Sequence, residues 1–180
     1  FLLATELRKA GRSGDAWRAD LSGVHASSRD PELLQAAVAM NESRFDEGEA
    51  LLKARLAQLP DDTPAIRLLA EINWRRGDMT EALTLVERAV ELAPGFDLAR
   101  DFLVRLLLQA NRLPEALAHA ELLTRSPVTH PGHDLLKASV LVRLGDQEAA
   151  GEIYERLLAQ KPDQPQLWQN LGHVQKTLGR

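Results

Sequence analysis

A spacing of 34 residues runs through most of this chain and limits what it can fold into. Ala82, Ala116 and Ala150 are 34 apart, and Gly48 stands 34 before Ala82. Gly77, Asn111, Gly145 and Gly179 form a second series in the same period, and Pro60 and Pro94 a third, with Pro162 two periods further on. Ala36, Ala70, Val104, Ala138 and Gly172 form a fourth. A unit of this length is one supersecondary element that cannot bury an apolar face by itself, so successive copies must stack.

Each series has a mechanical reason if the unit is a pair of antiparallel helices, A then B. Small residues such as Ala70 on helix A and Ala82 on helix B let the two backbones approach where they cross. Gly77, Gly145 and Asn111 follow helix A, where a left-handed residue ends a helix and Gly or Asn adopts that conformation most readily. Pro60, Pro94 and Pro162 close helix B because proline cannot continue a helix. Glu47, Glu81 and Glu115 fall near the start of helix B, where the helix dipole favours an acid. The spacing predicts helices over 31–42 and 46–59, 64–76 and 79–92, 97–110 and 114–125, 131–144 and 147–160, and 165–178. It divides the chain into repeats at 29–62, 63–96, 97–130 and 131–164, with 165–180 a half repeat or capping helix. Residues 1–28 read as a degenerate pair, with helices over 1–10 and 13–23 and with Gly11 and Ala16 in the turn and helix-B roles.

The stretch Thr63–Phe96, TPAIRLLAEINWRRGDMTEALTLVERAVELAPGF, resembles the tetratricopeptide-repeat (TPR) family. Trp168, Leu171 and Gly172 reproduce the opening of that family's pattern, and Ala150, Tyr154 and Pro162 its later positions. The pattern is broken at Gln175, where the family has Tyr, and at Val128, where it has Pro. It is also broken at Arg55, which stands where a small residue is usual. The resemblance implies an all-α fold, a right-handed α-solenoid of antiparallel helix pairs that binds another polypeptide in its concave groove. Trp168 falls on a core position of the pattern and is expected to pack inside.

Composition excludes several other classes. There are no cysteines, so disulfides, thiolate catalysis and Cys-based metal sites are absent, and a reducing compartment such as the cytoplasm fits. The formal net charge is −4, which is not the basic footprint of a nucleic-acid binder. No stretch approaches the roughly 18 apolar residues of a membrane helix. The chain begins with Phe1 rather than Met, and it reads as an excerpt of a longer protein. No phosphate-binding glycine loop, H-E-x-x-H or G-x-S-x-G motif occurs, so no catalytic, cofactor-binding or metal-binding residue is expected. His130-Pro131-Gly132-His133 reads as a loop carrying two exposed histidines rather than a metal site.

The repeat phase also marks the helix-A positions that face the groove. They are Arg67, Glu71, Trp74 and Arg75; Asp101, Arg105 and Leu108; Leu135, Ser139 and Arg143; and Gln169, His173 and Lys176. With Asp30 added, these positions carry five Lys or Arg (Arg67, Arg75, Arg105, Arg143, Lys176) against three acids (Glu71, Asp101, Asp30). The whole chain has 22 against 26. The expected ligand is therefore an extended, mildly acidic polypeptide held by Arg67, Arg105 and Arg143, with Trp74 as an apolar contact or packed on the next repeat.

A narrower resemblance covers most of 29–180 and is carried chiefly by Gly172, His173, Lys176, Thr177, Gly179 and Arg180. It is to the N-terminal repeat region of bacterial TPR-containing sulfotransferases, whose repeats precede a domain that uses the sulfate donor PAPS. The resemblance implies an acceptor polypeptide as partner, and no donor-binding residue falls within this sequence. Self-association through the ends of the stack is a third reading. Because the sequence holds no phosphate cradle, isothermal calorimetry of this chain with PAPS is expected to give no saturable heat; saturable binding would contradict the reading.

Overall fold

The computed structural model describes Glu6, Leu7, 9–12, 14–16, 18, 19, 22, 29–127 and 130–180. The two N-terminal helices expected over 1–10 and 13–23 fall largely outside these residues, as does Trp17. The described residues contain nine helices and no strand: α1 Pro31–Asn41, α2 Phe45–Gln58, α3 Thr63–Arg75, α4 Met79–Leu92, α5 Asp97–Gln109, α6 Leu113–Thr124, α7 Pro131–Leu144, α8 Gln147–Gln160 and α9 Pro165–Thr177. The helices expected from the 34-residue spacing are found, with ends that agree to within one residue.

The turns after the A helices explain the punctuation. Gly77, Asn111, Gly145 and Gly179 have φ of 89°, 57°, 88° and 72°. Ser43, 34 residues before Gly77, joins them at φ 61°. A serine in this conformation gives no signal in composition; only its register reveals it.

Helix starts use one position in two ways. Asp78 and Asp146 cap α4 and α8 by accepting from the N–H of Glu81 at 3.1 Å and of Ala149 at 3.1 Å. Arg44 and Arg112 stand at the same place before α2 and α6 and cannot accept. They bind Glu47 and Glu115 in the first turn instead, which keeps an acid at the positive end of the helix.

The chain divides into two compact units, Phe1–Leu103 and Val104–Arg180. In the first, Leu33, Ala36, Met40, Leu52, Ala65, Leu68, Leu69 and Ile72 form a buried cluster. Its helices meet through small residues: Ala36, Ala70 and Ala82 are at most 1% exposed. A Cβ added to Gly48 would lie 3.0 Å from Ile72 Cδ1 and 3.4 Å from the Ala36 carbonyl oxygen, so a larger residue would require its neighbours to shift. In the second unit, Ala138 packs with Leu141, Ala150, Ile153, Tyr154, Leu157, Leu158, Leu167, Leu171 and Val174.

Two residues of α9 depart from the repeat phase. Trp168, expected to be buried, is 55% exposed; at the equivalent positions Ile66 and Arg100 are buried, Asp134 is half-buried and Glu32 is exposed. Its indole N–H donates to the Pro162 carbonyl at 2.8 Å. Gly172, equivalent to the buried Ala70 and Ala138, is also exposed. The reason is that among the described residues no second helix lies over this face of α9.

Arg55 is the main irregularity of the core. The equivalent Ala89, Leu123 and Leu157 are buried apolar residues, whereas Arg55 is 9% exposed and charged. Its Nε donates to Asp62 at 2.5 Å and its Nη1 reaches Asp30 at 2.8 Å and Glu32 at 3.2 Å. Asp30 and Asp62 are the caps of α1 and α3, so one guanidinium ties together the starts of two A helices. Burial works against the charge on Arg55, and hydrogen bonds to the two aspartates more than compensate, raising its pKa. Partial burial pushes the Asp30 carboxyl up, but the bonds from Arg55 and the Glu32 N–H outweigh this and hold it below its ordinary 3.8.

Arg55→Leu leaves the Asp62 carboxylate buried without its counter-charge and is expected to cost about 3–5 kcal/mol. Arg55→Leu combined with Asp62→Asn should recover most of that loss, read as urea midpoints. Asp30 has a lowered folded-state pKa, so its contribution is fully present above its ordinary value and disappears as pH falls through the lowered one. Melting temperature should therefore fall below about pH 4, and less steeply in Asp30→Asn. Equal slopes in the two proteins would contradict the assignment.

Candidate functional site

The groove positions expected from the sequence lie in two electrostatic settings. In the first unit, Arg67 and Arg75 both bind Glu71 along α3. Arg67 Nη1 donates to Oε2 at 3.0 Å and Arg75 Nη2 to Oε1 at 2.8 Å. Arg75 Nη1 also donates to the Met40 carbonyl at 3.2 Å. These i,i+4 pairs are partly shielded, with side-chain exposures of 22% for Arg67, 18% for Glu71 and 31% for Arg75. Trp74 is half-buried and meets Phe102 edge-on, with ring centroids 5.9 Å apart and planes at 80°. Of its two expected roles, packing is therefore satisfied in part. Asp30 belongs to the Arg55 cluster and Asp101 is half-buried.

In the second unit, α5, α7, α8 and α9 line a cleft of about 380 Å³ with Leu108, Ser139, Val142, Arg143, Tyr154, Asn170 and His173. The cleft thus brings together four of the expected helix-A groove positions, Leu108, Ser139, Arg143 and His173. Arg105, on α5, and Lys176, on α9, are exposed and do not line it. Val142 was in phase with Trp74 and Leu108, so the register could have found it. Tyr154 comes from a B helix, and its family position marks it only as core. Asn170 has no sequence signal.

The donors in this cleft are ordered. Ser139 Oγ donates to the Leu135 carbonyl at 2.9 Å, using its only proton. Burial raises the pKa of the nearby Tyr154 phenol above its ordinary 10.0, and the Ser139 hydroxyl works in the opposite direction. Arg143 Nη2 donates to Asn111 Oδ1 at 3.2 Å. Asn111 is also the left-handed residue after α5, so the turn that ends that helix orients the guanidinium.

A second cleft of about 300 Å³ is lined by Leu123, Thr124, His130, Pro131, His133, Asp134, Leu157 and Gln160. It corrects the loop reading of the histidine pair. Pro131 is preorganised for the first helical position, and α7 begins there. His130 caps the helix, its Nδ1 accepting from the Gly132 N–H at 3.1 Å, and His133 lies inside it, 9% exposed. Among the described residues no group of three or more His, Asp or Glu is arranged to hold a metal ion, and no helix is long and apolar enough to cross a membrane.

Antiparallel helix pairs in a 34-residue period, joined by left-handed turns and packed through small residues, define an α-solenoid repeat protein. TPR family models match residues 33–95, 73–140 and 132–174. The chain belongs to the tetratricopeptide-repeat family. A curated relative is the inactive TPR repeat-containing thioredoxin TTL3 of Arabidopsis thaliana, 32% identical over 127 residues. That match takes in 70% of this chain and 18% of the relative, so the chain spans less than a fifth of its length.

Among solved structures, MamA from Desulfovibrio magneticus RS-1 is similar with a TM-score of 0.73 and 15% identity, over 83% of this chain and 87% of that one. A TPR protein from Parabacteroides merdae gives 0.72 and 12%, over 98% and 71%. YrrB, described as a TPR protein with an unusual peptide-binding site, gives 0.71 and 13%, over 89% and 84%. At these identities the likeness is one of fold.

Proposed function

We propose that this chain is a protein-interaction scaffold, non-catalytic by itself, that binds an extended polypeptide along the groove face of its A helices. The observation that carries this reading is the cleft of the second unit, where side chains from three successive A helices converge. Leu108 comes from α5, Ser139, Val142 and Arg143 from α7, and Asn170 and His173 from α9. A concave site with apolar walls and a few fixed polar groups is the usual form of a ligand site. YrrB, which has the same fold, is described as having a peptide-binding site, and this supports the same ligand class here. The absence of cysteine fits a reducing compartment, with the cytoplasm as the proposed location.

The sequence string Gly172–Arg180 favours a second, compatible reading. The repeats would then stand beside a sulfate-transferring domain, and the groove would position the acceptor polypeptide. In either case the groove, not the stack ends, makes the contact.

Panning a phage-displayed random dodecapeptide library on the chain should enrich peptides that shift the backbone amide signals of Leu108, Ser139 and Asn170. The outer face of α8, at Glu152 and Glu155, should stay unperturbed. Peptides that shift α8 instead, or no enrichment at all, would count against the groove.

A further inference from the structure

The expected anionic ligand was assigned to Arg67, Arg105 and Arg143 together, but the structure does not treat these positions alike. On α3, Arg67 and Arg75 share Glu71, and its two carboxylate oxygens each accept from one guanidinium. A ligand carboxylate arriving there would have to compete with an acid already held in place at i,i+4 spacing. One carboxylate offsets half of the charge here, and both guanidiniums are already held by it, with Trp74 as the neighbouring apolar contact.

The cleft of the second unit is built differently. Among the described residues no Asp or Glu lines it. Among the described residues Arg143 has no carboxylate within ion-pair distance, and its one side-chain bond is to the neutral oxygen of Asn111. That bond fixes the guanidinium without cancelling its charge. The imidazole of His173 lines the same cleft, and Lys176 follows one turn later on α9. The Asn170 amide adds a neutral donor. Leu108 and Val142 form the apolar wall. Arginine offers planar, bidentate geometry toward a carboxylate or a phosphate.

We infer that this cleft is an anchor for one anionic side chain of a bound polypeptide, a carboxylate or a phosphoryl group, seated between Arg143, His173 and Asn170 beside an apolar neighbour. The inference rests on the groove reading above and adds its specificity. The second unit reads an acid, and the stripe on α3 does not.

The test uses three capped heptapeptides, Gly-Leu-X-Leu-Gly-Ser-Gly with X as Glu, Gln or phosphoserine, titrated into the isotope-labelled chain. The Glu or phosphoserine peptide should give saturable shifts at the Asn170 side-chain amide and at the Ser139 and His173 amides. The Gln peptide should bind at least tenfold more weakly, a difference of about 1.4 kcal/mol. Whichever acidic peptide binds more tightly identifies the group.

Arg143→Gln should weaken the acidic peptide by at least tenfold, and Arg67→Gln by less than twofold. Arg143 is exposed, so unchanged melting of that variant is expected, and Arg143→Lys should restore part of the affinity. Equal binding of the Glu and Gln peptides would overturn the inference and leave the scaffold reading standing. So would a larger loss in Arg67→Gln than in Arg143→Gln. Failure of all three peptides would also overturn the anchor, whereas the scaffold reading is judged separately by panning.

Discussion

The close crossing of helix A over helix B is the contact on which the rest of this fold depends. At Gly48 the space left beside the backbone is tight, and an added methyl group would force the end of Ile72 to give by a few tenths of an ångström. Ala70, Ala82, Ala138 and Ala150 keep the equivalent crossings close elsewhere, each with no exposed surface. Close approach is favourable because dispersion is short-ranged and tight packing gains many weak contacts at once. Once the pair is fixed, the larger side chains on either side have only one face left to bury, and that face must meet the next pair.

The turns hold this geometry in register. Left-handed residues at a spacing of 34 end the described A helices, and the second helix then starts on an aspartate cap or an arginine–glutamate pair. At Asn111 the turn also serves the groove, because the side chain that accompanies the left-handed backbone orients Arg143. A scaffold residue thereby sets the direction of a charged group in the candidate site.

The arginines of this chain do different jobs, and only their neighbours tell them apart. Arg55 replaces a buried aliphatic residue and joins two helix caps. Arg67 and Arg75 share one carboxylate, that of Glu71, along a single helix. Among the described residues Arg143 meets an amide oxygen, and no acid lines the cleft at whose edge it stands. A buried guanidinium requires paired acids, because an unpaired charge out of water is strongly unfavourable. At the edge of a cleft, water meets that requirement until a ligand does.

The sequence by itself determined the helix pairs, their boundaries and their crossing points, because the constraints behind them are local and recur every 34 residues. A small residue, a left-handed turn and a helix-ending proline each act on their own stretch of backbone, so Ala70, Gly77 and Ala82 could be read in place. The same phase named Leu108, Arg143 and His173 as groove positions. It could not distinguish Arg143 from Arg67, since that depends on whether Glu71 or Asn111 is the neighbour in space. Tyr154 and Asn170 entered the cleft unannounced, one from a B helix and one without a phase signal. Trp168 shows the limit most clearly. Its phase marks a position that packs at Ile66 and Arg100, but burial requires another element over that face, and here the ring stands 55% exposed. Periodicity decides which way a side chain points, and only the tertiary structure decides what it meets there, because contact energies depend on neighbours that are distant in sequence.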